Sequence, residues 1–227
     1  GWDVLCTVMQ FLPFTLGMVL IVTLGDLFSG EERTGMVPIL RSTKYGRASL
    51  LKCKLGAAVM ITTVLWILFQ LVMLMTLALT YTLRGATCTV LLFNGKPSIY
   101  GLNWLTYYLL QCAYSYLGTL VFTLFICCLS SILPLRLSMP LDLTITLLTG
   151  IPMNHFCYAD QAFDLLDKCR AMTPSQLMAA HPTLQVYQSY AFGNVIIQLP
   201  YVTAAAILIE SGLLLWFLHC REGEKAT

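Results

Sequence analysis

No charged residue occurs between Lys54 and Arg84, and none between Lys96 and Arg136. About 20 apolar residues in helical form cross the roughly 30 Å hydrocarbon core of a bilayer. Inside that core every backbone N–H and C=O must be satisfied within the protein, which leaves the helix as the solution for a single segment. The expected fold class is therefore all-α integral membrane. Composition agrees: 58% of the 227 residues are hydrophobic and 11% charged, with mean hydropathy +0.77, whereas soluble domains carry about 25% charged residues. A net charge of +2 says little about partners, because in a membrane protein the placement of the positive residues matters. No nucleic-acid partner is expected.

Five stretches read as transmembrane helices of a single domain over residues 1–227: 4–28, 55–81, 105–133, 138–153 and 201–219. The first has no charge before Asp26, the fourth is short, holds Asp142 and is bounded by Pro140 and Pro152, and the fifth is apolar except for Glu210. Lysine and arginine stay on the cytoplasmic side. With five crossings, segments 29–54 and 134–137 and the tail from Cys220 share one side and hold nine of the 13 basic residues, leaving Arg84, Lys96, Lys168 and Arg170 opposite. The expectation is a multi-pass protein of the plasma membrane with a cytoplasmic C-terminus. The chain opens on Gly1 with no basic n-region and apolar stretch of a signal peptide, so its start reads as internal to a longer chain. Segment 154–200, on the outer side, reads as two short helices, 160–172 and 173–180, the second with Thr173 as N-cap and Pro174 at its first position. Such pieces are expected to lie at the outer interface or dip into it. There are no internal repeats and no low-complexity runs.

Between the first two stretches lies "GEERTGMVPILRSTKYGRASLLKCK", which holds eight of the 24 charged residues: Glu31, Glu32, Arg33, Arg41, Lys44, Arg47, Lys52 and Lys54. A solvated loop obeying the positive-inside rule, touching anionic lipid, would have that charge. The order of residues is more particular, with two acids at the helix exit, a glycine, an apolar turn and then spaced bases. In that order, Phe28, Glu31 or Glu32, Gly35, Ile39 with Leu40, Ser42 with Thr43, Arg47 and Lys54 resemble the segment between the second and third helices of the ABC transporter type 2 permease family. The run "YQSYAFGNVIIQLPYVTAAAILIESGLLLWFLHCRE" is similar to that family's last helix and its approach. Two departures stand out: Lys44 occupies a place where Pro is common, and the family has six helices, so the resemblance implies that its first helix and following outer loop would be missing here.

The resemblance implies a permease subunit with no chemistry of its own, in which residues 29–54 form a cytoplasmic coupling helix docked on an ATP-hydrolysing subunit. Glu31, Glu32, Gly35, Ile39, Leu40, Arg41, Lys44 and Arg47 would make that contact, the apolar pair filling a groove and the bases setting orientation and rate. ATP and Mg would be bound by the partner, since the chain has no Walker lysine motif. A second permease copy or a related permease would complete the pathway across a twofold axis. The form "GEERTGMVPILRST" resembles bacterial drug or antimicrobial-peptide exporters and immunity permeases; lipids and related compounds are further cargo classes of the family.

Other residues read in two ways. Glu210, near the middle of the last stretch, costs about 2.5–3.5 kcal/mol to insert, so it should face protein or water, as a packing residue or as a carboxylate on a substrate path. Asp142, nearer the inner end of its helix, reads as a hydrated structural residue. Tyr107, Gln111, Ser115 and Gly118 fall at helical spacing, as a path lining or as an interhelical packing face. Cys157 and Cys169 would close a disulfide loop in an oxidising exterior, stabilising by roughly 3 kcal/mol in the chain-entropy model, and would stay free in a reducing one. No catalytic or metal site is expected: His155, His181 and His219 are scattered, and no cysteine pair has CxxC spacing. The rival classes are a non-transporting sensor or scaffold that binds an ATPase, and an intramembrane enzyme. "EER" resembles the glutamate pair of CAAX-type membrane proteases, whose pattern needs an Arg where Met36 stands.

Overall fold

A computed structural model describes residues 1–25, 27, 46–81, 84–90, 92–93, 96–97, 101–133, 135–150, 172–179, 189–192 and 195–224. The chain is mostly helical, and three helices are long and apolar enough to cross a membrane: Leu50–Thr80, Trp104–Ile132 and Leu199–Arg221. It is a membrane-embedded protein.

The first expected span, 4–28, is not one α-helix. Helix α1 (Trp2–Val8) passes through a 3-10 turn, Met9–Phe11, into α2 (Leu12–Leu24). Pro13 is the cause: it has no N–H to give the Met9 carbonyl four residues back. The Met9 carbonyl instead accepts from the Leu12 N–H, which tightens the turn. The path stays right-handed and helical through the junction, with Phe11 at φ −88°.

The second span, expected over 55–81, begins nine residues earlier in α3 (Gly46–Thr80). Ala48, Leu50, Leu51 and Lys52 are strong helix formers, so the last part of the charged segment continues the helix. At about 1.5 Å per residue its 35 residues make a rod of roughly 52 Å. After it, Gly85 at φ +86° turns the chain. Val90 N–H donates to the Leu102 carbonyl at 2.8 Å and Leu105 N–H to that of Ala86 at 3.0 Å, fastening the turn to the next helix. Helix α4 (Trp104–Ile132) stops where Leu133 becomes extended, as a residue before proline prefers. Helix α5 (Leu135–Gly150) covers the described part of the fourth expected span, 138–153. It starts three residues sooner, and its 16 described residues rise about 24 Å; residues 151–153 lie outside the described residues. Helix α6 (Pro174–Ala179) follows, then α7 (Leu199–Glu224).

Two short antiparallel ribbons depart from the all-helical expectation: β1 (Leu92–Phe93) with β2 (Lys96–Pro97), and β3 (Ser189–Phe192) with β4 (Val195–Gln198). The second agrees with the β-branched run Val195, Ile196, Ile197 after Gly193–Asn194 in sequence.

Side-chain ties to α4 set the directions of its neighbours. Gln111 Nε2 donates to the Cys6 carbonyl at 3.2 Å and Ser130 Oγ to the Gly25 carbonyl at 2.7 Å; both pairs are 105 residues apart, so α1 and α2 run parallel to α4 in constant register. Tyr114 OH donates to the Pro200 carbonyl and Cys128 Sγ to that of Leu214, both 86 apart, so α7 is parallel too. In contrast α3 is antiparallel: Thr62 pairs with Thr123, Trp66 with Ser115 and Gln70 with Tyr108. Met139 lies against Gly25 and Thr146 against Gly17, which makes α5 antiparallel to α2. One end of the bundle therefore collects the start of α3, the α4–α5 junction and the end of α7, with Lys52, Lys54, Arg136 and Arg221.

The second short helix of segment 154–200 has the expected start, with Gln176 and Leu177 N–H donating to the Thr173 carbonyl. For a segment expected at the outer interface or dipping into it, α6 is found enclosed by other helices of the bundle. It packs on the midpoint of α4, where Leu177 backbone meets Gly118, and Ser175, Leu177, Met178 and Ala179 are buried. The first, 160–172, lies outside the described residues apart from its last residue. Leu12, Leu16, Leu20 and Leu24, one face of α2 at fourfold spacing, form a core with Phe122, Ile126 and Met178. Met60, Val64, Val72 and Leu79 on α3 and Leu208, Ile209 and Trp216 on α7 face outward, as lipid contact requires.

A methyl group at Gly118 would collide with the Leu177 carbonyl and the Met178 N–H, whereas one at Gly56 meets nothing within 4 Å. Gly118→Ala should lower stability by about 1–3 kcal/mol in detergent unfolding, and Gly56→Ala should leave it unchanged; equal effects would contradict the seating of α6.

Candidate functional site

In lipid, helices gain no hydrophobic drive toward one another, so polar side chains and close packing decide their contacts. Among the described residues, buried polar side chains include the three groups that follow. Along the α3–α4 seam, Thr62 and Thr123 share a hydrogen bond of 2.9 Å, Thr63 and Tyr116 one of 3.0 Å, and Trp66 Nε1 donates to Ser115 Oγ at 3.4 Å. Thr62, Ser115 and Thr123 are almost wholly buried. Thr119 and Thr123 hydroxyls donate to carbonyls one turn back, so this polar face is satisfied by protein.

The second group lies near the opposite end from the basic residues. Tyr108 OH donates to Gln70 Oε1 at 3.2 Å, Cys112 Sγ to the same oxygen at 3.8 Å, and Gln111 Nε2 to the Cys6 carbonyl. Trp2 stands edge-on to Tyr108, with ring centroids 6.1 Å apart. The third group is Ser138, Asp142 and Thr146, one face of α5, with exposures of 0, 1 and 2%.

Of the residues singled out from sequence, Tyr107, Gln111 and Ser115 share one buried face of α4 turned to α1 and α3. They sit in a sealed interhelical seam. Glu210 is half-buried on the stripe of α7 that contains Thr203, Ile207, Leu214 and Leu218, and its Oε2 is shielded without a hydrogen-bond partner. The register of 86 residues sets Glu210 level with position 124 of α4, roughly 20 Å along the axis from Gln111 at 1.5 Å per residue. Leu177 of α6 packs with Val121 and Ile207 between them. The bundle therefore does not bring Glu210 together with Tyr107, Gln111 and Ser115.

Asp142 corrects the sequence reading: it is 1% exposed and not hydrated, because α2 and α4 cover it. Glu31, Glu32, Gly35, Ile39, Leu40, Arg41 and Lys44 lie outside the described residues, and Arg47 is described only as backbone in the first turn of α3. Cys157 and Cys169 also lie outside them; the described cysteines are free thiols. Sequence reasoning missed the Gln70–Tyr108 and Thr62–Thr123 pairs. The available signal was a single amide, Gln70, in an otherwise apolar run, whose partner depends on the register of two helices.

Comparisons of the chain with protein-family models, with curated proteins and with solved structures find no match.

The Thr62–Thr123 bond should give a coupling energy of about 0.6 kcal/mol, and at most roughly 1.7, in a double-mutant cycle of Thr62→Val and Thr123→Val. Strict additivity would place the two hydroxyls apart.

Proposed function

We propose that this chain is the membrane-spanning permease subunit of an ATP-driven ABC transporter, without catalysis of its own, whose basic end faces the cytoplasm and docks an ATPase subunit. The observation that supports this most is the long helix α3. Its 35 residues reach roughly 52 Å, about 20 Å more than a hydrocarbon core needs. The excess holds Arg47, Lys52 and Lys54 at the end that also carries Arg136 and Arg221. A helix rigidly continuous from a docking segment into the bundle transmits a partner's closure as rigid-body movement.

In this reading Glu31, Glu32, Gly35, Ile39, Leu40, Arg41 and Lys44 precede that helix as the coupling segment, and Arg47 begins it. ATP and Mg belong to the partner, a second permease copy or relative pairs with this one in the plasma membrane, and the C-terminus is cytoplasmic. The cargo is a drug, an antimicrobial peptide, a lipid or a related compound. The lipid-facing surfaces of α3 and α7, rich in exposed Val, Leu, Ile and Met, leave room for a partner permease within the membrane. Glu210 lies on the α4-facing stripe of α7 and would meet a path only where that helix contributes to one.

Full-length protein purified gently from its host should bring an ATPase subunit with it. Reversing Arg41 and Arg47 to Glu should abolish recovery and stimulation of that ATPase while membrane insertion persists. Undiminished recovery with the double reversal, or a preparation with no ATPase under conditions that preserve such complexes, would overturn the proposal.

A further inference from the structure

Asp142 is the most deeply buried carboxylate among the described residues. It is 1% exposed, and neither of its oxygens has a hydrogen-bond partner. Among the described residues no side chain donates to it. Thr146, one turn on, gives its hydroxyl proton to the backbone carbonyl of Asp142 itself at 2.7 Å. Helix α2 brings no ionisable group over Leu12–Leu24, and neither does α6 over Pro174–Ala179. Helix α4 brings the Cys127 thiol, with Cys128 next to it. Helix α3 brings Lys54, which makes no hydrogen bond to the carboxylate. Arg136, on α5 itself, is exposed.

An ionised carboxylate taken out of water without a bonded cation is penalised by several kcal/mol. The neutral acid loses only the smaller desolvation term of an unpaired polar group. A bound metal cation would need several oxygen ligands around it, and the hydroxyl one turn away is already engaged. A proton needs no ligand shell and no added volume.

We propose that Asp142 is a proton-binding site within the membrane, occupied in the closed packing described here and exchanging its proton with water at the basic end of the bundle. The route is short. Met139 contacts Gly25 at the end of α2, so Asp142 lies about one turn inward from the Gly25–Ser130 tie. Pro140 lies inside this part of α5 and has no N–H to give the Arg136 carbonyl, which weakens the helix between Asp142 and the end. In exchange, an O–H bond of the carboxyl breaks, the proton passes to water, and the resulting carboxylate is stable only once water or a cation reaches it. Loss of the proton therefore favours a looser seat of α5 against α2 and α4. The proposal goes beyond the transporter reading and does not depend on an ATPase partner.

Infrared spectroscopy of the full-length protein in lipid nanodiscs tests it. At neutral pH the wild type should show the carbonyl stretch of a protonated, weakly bonded carboxylic acid, which shifts in heavy water. The band should vanish in Asp142→Asn, shift in frequency in Asp142→Glu, and persist in Glu210→Gln. Asp142→Asn, close in shape to the neutral acid, should unfold at the wild-type temperature. No such band in the wild type would overturn the proposal without recourse to any variant. So would a band indifferent to both Asp142 substitutions, or one removed by Glu210→Gln.

Discussion

Side chains of one helix, Trp104–Ile132, tie its neighbours at fixed registers, and the rest of the architecture follows from those ties. Gln111 and Ser130 bind the backbone at Cys6 and Gly25, Tyr114 and Cys128 bind it at Pro200 and Leu214, and Ser115 and Thr123 meet Trp66 and Thr62. Each bond is weak, at about 0.6 kcal/mol on average for such pairs in a membrane. Together they exclude a slid or inverted neighbour, because a one-residue slip rotates a helix by about 100° and removes the partner. Apolar burial alone, in a solvent as apolar as leucine, would not choose among those registers.

The same helix accepts the short segment Pro174–Ala179 because Gly118 has no side chain. Backbone thereby approaches backbone at its midpoint, and Leu177 and Met178 enter two apolar clusters. Short irregular chain at membrane depth is tolerated only where protein encloses it, and here α2, α4 and α5 do so.

Much of this was legible from residues alone, for reasons of solvent. Long charge-free runs announce helices in lipid, so the spans near 55–81, 105–133 and 201–219 were plain. The clustering of bases at one end follows from counting lysine and arginine in the connections. What stayed hidden depended on partners distant in sequence. Pro13 and Pro140 were visible as residues, but whether a proline bends, tightens or ends a helix depends on the carbonyl it deprives. Asp142 looked hydrated because it stands near a helix end, and only the cover from α2 and α4 shows otherwise. The stripe Tyr107, Gln111, Ser115 had the spacing of a lined path, yet its face is taken by α1 and α3. Glu210 stays apart from that stripe because the register of α7 sets it level with position 124 of α4, roughly 20 Å along the axis from Gln111.

The opposite directions of α3 and α7, and with them the separation of a basic end from an opposite end, are most directly tested by single-cysteine labelling. Cysteine-free full-length protein carrying one cysteine at Arg84, Lys52 or Arg221 would be exposed to a membrane-impermeant thiol reagent in sealed, oriented vesicles. The bundle predicts that positions 52 and 221 label from one side and position 84 from the other. Labelling of positions 84 and 221 from the same side would contradict the parallel register of α7 with α4 and the topology built on it.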